Sequence, residues 1–177
     1  MGQLTSQFTG TASLTTTNRR APGPFIQAVT LTAVLDAEQG TVTDVALAPI
    51  QTPAFPVKHP LLGQMAIVTT VSLRRAGLGR YVPMAGRITV DLDLHVAHRK
   101  AGTDKFVLGA GPSETTVALS TDAGVRSQPQ GLLSADGSAL DRPTGRATLV
   151  GGGLFRGGFL NGSELMIVVA GTFNPVP

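Results

Sequence analysis

Between residues 86 and 98 the chain alternates so strictly that only one kind of backbone suits it. Ile88, Val90, Leu92, Leu94 and Val96 fall on one parity, and Arg87, Thr89, Asp91, Asp93 and His95 on the other. Side chains along a strand point by turns to its two faces, so this stretch reads as a strand with one dry and one wet face. A helical repeat of about 3.6 residues would scatter the five aliphatics around the axis. The rest of the chain must then supply a cover for the dry face.

The same period-two pattern recurs along the chain. It runs through residues 5–17 (Phe8, Gly10, Ala12, Leu14), 25–35 (Phe25, Val29, Leu31, Leu35) and 41–48. It returns over residues 63–74 (Met65, Ile67, Val71, Leu73), once within 106–119, then over 145–150 and 163–173 (Leu165, Ile167, Val169). No ten-residue window carries a helical stripe. The expectation is an all-β chain forming one β domain over residues 1–177. Its eight to ten strands, mostly antiparallel, form a β-sandwich or an up-and-down β-barrel.

Punctuation is as regular as the strands. Asp36 to Gly40, Val82 to Gly86 and Asp141 to Gly145 each end in glycine, followed by a polar residue, an apolar residue and Thr. Such a glycine supplies the positive φ of a hairpin loop, so these are recurring turns rather than an internal repeat. Pro49, Pro53, Pro56 and Pro60 predict a rigid connection along a sheet edge. Residues 75–85 read as a turn containing Tyr81, and residues 120–143 as a long loop, a lid or two short strands. Asn161-Gly162-Ser163 fits a glycosylation acceptor, but Asn-Gly is first of all a hairpin turn.

The passage Gly151-Gly152-Gly153-Leu154-Phe155-Arg156-Gly157 predicts a bend or a close backbone approach. It has neither the strand–glycine–helix setting of a dinucleotide site nor the Lys-Ser or Lys-Thr of a phosphate loop. Locally it resembles the Gly-Gly-x-Gly-x-Phe-x-Gly strand of dirigent-type and allene-oxide-cyclase-type β-barrels, one residue short of that pattern. The likeness covers seven residues of 177 and assigns the chain to neither family.

Composition removes several function classes. With no cysteine, disulfides, thiolate metal sites and cysteine nucleophiles are excluded. Charged residues make up 14% of the chain, against about 25% in an average globular protein, so copies repel one another weakly. A formal charge of +3 and few aromatics near the basic residues argue against nucleic-acid binding. No run is long and apolar enough for a membrane helix. The first residues lack the basic and apolar regions of a signal peptide, and they fit only the loose acceptor pattern for myristoylation at Gly2. The compartment stays open: secreted or surface if a leader has been removed, otherwise cytoplasmic.

Candidate chemistry is sparse. Asp91, Asp93 and His95 share one face, about 7 Å apart per step. Two carboxylates and an imidazole suit a divalent cation or acid–base work, but the spacing needs a further ligand from a neighbouring strand. A solvated outer face explains the same residues. No serine sits in a nucleophile elbow, and the three histidines, His59, His95 and His98, have no motif around them. Phe25, Phe55, Phe106, Phe155, Phe173 and Tyr81 are candidates for a ligand pocket or for core. These residues suggest no cofactor.

Two functions are carried forward. The first is a non-catalytic module for self-association or protein–protein interaction, as in a surface, coat or matrix component. The alternative is a β-barrel that binds a small apolar ligand, as a carrier or a cyclase- or isomerase-type enzyme.

Overall fold

A computed structural model describes residues 3–17, 23–107, 110–121 and 146–172. Its strands are β1 (Gln3–Thr15), β2 (Phe25–Asp36), β3 (Thr41–Leu47), β4 (Ile50–Gln51), β5 (Phe55–His59) and β6 (Gly63–Ala76). After these come β7 (Gly79–Val82), β8 (Arg87–Lys100), β9 (Ser113–Ser120), β10 (Arg146–Leu154) and β11 (Glu164–Thr172), with a 3-10 turn over Pro83–Ala85. The described residues thus hold eleven strands rather than eight to ten. The additions come from two segments read as connections: β4 and β5 from the proline-rich stretch, and β7 from the turn before β8. Proline is tolerated in β5 because that strand pairs with β6 alone, and an edge strand leaves one row of N–H groups without a ladder partner.

Of the two architectures left open by the sequence, the molecule is the barrel. Eight antiparallel strands close in the order β1–β2–β3–β7–β8–β9–β10–β11 and back to β1, with β4, β5 and β6 as additions. β8 is the hub, since β6 and β7 share one of its sides and β9 takes the other. Its apolar parity faces inward: Ile88, Val90, Leu92, Leu94 and Val96 are each at most 5% exposed. Phe8, Leu31, Leu35, Leu119, Leu149, Phe155 and Leu165 meet them in one cluster. An eight-strand barrel has an interior just wide enough for side chains to fill, and here aliphatic and a few aromatic side chains fill it.

Closure needs close backbone approach. A Cβ on Gly10 would run into the Val168 carbonyl, and one on Gly151 into the Ala118 carbonyl. At both positions glycine lets the neighbouring backbone approach because no side chain stands in the way. The first part of the glycine-dense passage, through Leu154, is therefore barrel strand, and Gly151 makes the close backbone approach that its composition predicted.

Two of the three recurring turns lie among the described residues, and both glycines take positive φ: 65° at Gly40 and 58° at Gly86. In the first, Asp36 Oδ1 accepts hydrogen bonds from the backbone N–H groups of Glu38 and Gln39 at 2.9 and 2.8 Å, and Oδ2 accepts from Gln3 at 3.1 Å. The Gln39 N–H, then the Gln3 amide, hold this carboxyl below its ordinary pKa, against the opposing effect of burial. The Asp141 turn, most of the loop read over residues 120–143, and Phe173 lie outside the described residues.

Candidate functional site

The outer wall of the barrel is not uniform. On β6, β8 and β9 it is charged. Asp91 and His95 are exposed and Asp93 half-buried, all on the outward parity of β8. Across the ladder Arg75 stands opposite Asp93, while Ser72 and Glu114 flank His95 on either side. An exposed ion pair of 3.0 Å joins Arg74 to Glu114, reaching across β8 from β6 to β9. The structure thus places Asp91, Asp93 and His95 on one solvated face among arginines. No group of three or more metal-ligating side chains forms a cation site among the described residues.

Beside this face lies a groove of about 610 Å³, lined by residues that include Gln51, Thr70, Ser72, His95, Arg99 and Phe106. It is outside the barrel wall. Phe106 is 64% exposed and packs over the Arg99 guanidinium, 4.9 Å from it. Of the two readings of Phe106, core or ligand-contacting aromatic, the core one is corrected: it is a surface residue on the lining of this groove. Its strand pairing explains this, because an isolated bridge to Arg99 sets it beside the outward parity of β8.

The other aromatic candidates among the described residues go inward. Phe155 and Tyr81 are in the main core, Tyr81 as part of β7 rather than a turn, and burial raises its phenol pKa. Phe25 and Phe55 pack with ring centroids 5.1 Å apart at one end of the barrel. There Phe55, Val57 and Ile67 form a second buried cluster, with Phe25, Met65 and Phe159 against it.

Sequence reasoning passed over a buried polar group at that same end. His98 is 3% exposed, and its Nδ1 lies 2.9 Å from the Thr69 hydroxyl. Thr69 is held in turn by Thr52, whose hydroxyl accepts the Thr69 N–H at 3.0 Å. Phe159 meets the imidazole edge-on at 5.4 Å, and Nε2 is buried with no hydrogen-bond partner. Burial lowers the pKa of His98 from 6.5 to about 4, so the ring is neutral near pH 7. The signal was in the sequence: His98 continues the parity of Ile88 to Val96.

On β2, β1, β11 and β10 the outer wall has a different character. The ladders align three rows across it: Ile26, Ser13, Met166 and Gly152; Ala28, Thr11, Val168 and Val150; Thr30, Thr9, Ala170 and Thr148. None of the twelve is ionisable. Ile26, Met166 and Val168 are 64%, 37% and 39% exposed.

Comparison with known proteins adds no family. No family model matches the chain, and neither a curated protein nor a solved structure does.

Proposed function

We propose that the protein is a non-catalytic β-barrel module that self-associates through the outer face of β2, β1, β11 and β10. One observation carries this reading: three successive rows across four strands hold no ionisable side chain and leave Ile26, Met166 and Val168 in solvent. A twofold contact sets a patch against its own copy, so a charged face would repel itself and a neutral one does not. Barrel closure favours this face-to-face contact over edge pairing, because it removes most free edges. The footprint is roughly 20 by 20 Å from strand spacing and rise. That is about half of the ~800 Å² per partner of a standard interface, which fits a reversible, concentration-dependent dimer.

The internal-ligand alternative has less support. Phe8, Leu92, Leu94, Leu149 and Leu165 occupy the space such a ligand would need.

Sedimentation velocity across a concentration series tests the proposal. The expected result is a monomer–dimer equilibrium that Val168→Lys moves to monomer without changing the circular dichroism spectrum. A chain that stays monomeric at the highest concentration overturns it, as does a dimer unaffected by Val168→Lys.

A further inference from the structure

The hairpin joining β5 to β6 carries a feature that self-association does not use. Leu61 and Leu62 stand at its tip, 89% and 58% exposed. Single exposed aliphatics are ordinary, but an adjacent pair held out on a hairpin is not. The tip is also tied down, since His59 Nδ1 accepts the backbone N–H groups of both leucines at 3.1 Å.

The lysines gather at this end. The chain has 14 basic residues and 11 acidic ones; three of the basic residues are lysine and the other 11 arginine, so arginines and carboxylates balance and the lysines equal the excess of +3. Lys58 lies opposite Gln64 on the tip hairpin, and Lys100 opposite Ile67 where β8 ends. The Lys105 carbonyl accepts the Lys100 N–H at 2.9 Å, which brings the third lysine to the same end. All three are exposed. Strand spacing and rise put the Cα atoms of Lys58 and Lys100 roughly 14 Å apart. The nearby Asp104 pairs with Arg99 at 3.3 Å, and exposed Phe106 adds apolar surface over that arginine.

We propose that this end of the barrel docks on an anionic phospholipid surface, with Leu61 and Leu62 entering the headgroup boundary and the lysines meeting lipid phosphates. Apolar insertion and attraction between lysines and anionic lipid are the two components of peripheral membrane binding. The attachment is at the tip. Membrane-spanning barrels are apolar outside and polar within, the reverse of this barrel, whose interior is aliphatic and whose outer wall on β8 is charged. None of the docking residues lies on β1, β2, β10 or β11, so the proposal stands apart from self-association.

Vesicle sedimentation with the full chain tests it. The protein is expected to sediment with vesicles of phosphatidylcholine mixed with phosphatidylglycerol, to stay in solution with phosphatidylcholine alone, and to be released by salt. Each of Lys58→Gln, Lys100→Gln and Lys105→Gln lowers partitioning about fivefold, and the double change Leu61→Ser with Leu62→Ser about tenfold or more. Leu78→Ser, at a lone leucine 97% exposed on another loop, leaves binding unchanged. Circular dichroism checks that each variant is folded. Failure of the unaltered chain to bind the mixed vesicles overturns the proposal, as does a loss with Leu78→Ser equal to that at the tip. Binding to vesicles and to soluble polyglutamate alike, insensitive to the leucine changes, also overturns it and points instead to an acidic protein surface.

Discussion

The body of the barrel and its hairpin end are both dry, but they are built from different materials. In the body, aliphatic rows from eight strands meet with few polar groups among them. At the end, an aromatic pair accompanies the Thr52–Thr69–His98 chain, whose imidazole packs on Phe159. Hydrocarbon packing is indifferent to pH and forgiving in direction. A buried imidazole is neither, because its hydrogen bonds are directional and the ring must stay neutral. The body therefore gives the molecule its bulk stability, and the end gives it conditions.

The largest effect that separates the two regions comes from truncating the body. Leu94→Ala removes a fully buried side chain from the hub strand, and about 3–5 kcal/mol of stability should disappear in urea unfolding. A loss below 1 kcal/mol would mean that the barrel wall collapses onto the gap and the interior is not the rigid part. The pH response comes next. Between the ordinary pKa of 6.5 and the folded value of about 4, the unfolded chain takes up a proton that the folded chain refuses. Stability should therefore be full above pH 6.5, fall as pH drops toward 4, and lose about 3 kcal/mol over that window. His98→Leu should flatten this slope, and denaturant curves at several pH values would show it; an unchanged slope would place the titration elsewhere. Smallest is Thr52→Val, which leaves the buried Thr69 N–H without its acceptor and should cost about 1–2 kcal/mol by thermal unfolding. No loss there would show that the polar chain at the end tolerates an open link.

How much of this was legible in the sequence depends on range. Alternation is local, so β8 could be read from Ile88 to Val96, and the outward placement of Asp91, Asp93 and His95 followed from it. Hairpin turns are local too, and Gly40 and Gly86 behave as their positions require. Closure is not local. A sandwich and a barrel bury the same parity, and what distinguishes them here is that β8 meets β9 as well as β7 while β11 returns to β1. Short strands were hidden for a related reason. β7 has only four residues, Gly79–Val82, and it is a strand because β3 and β8 lie on either side of it. Phe106 deceived by its chemistry, since a phenylalanine covering an arginine looks in sequence like one covering a core. The neutral wall is shared by two strand pairs, β1–β2 and β10–β11, far apart in the chain, and its character emerges only when the ladders align them.

The ring is sealed between its first and its last described strands: Phe8 lies opposite Gly171, and Leu14 opposite Leu165. That seam sets an order in time. While the chain is being made, β1 can pair with β2 early, but its other side waits until β11 has emerged. Contacts so distant along the chain are slow to form, because a long loop must close before they return any energy. Until β11 is available, the other barrel strands can pair only as an open sheet. The step from open sheet to barrel comes when β11 finds β1.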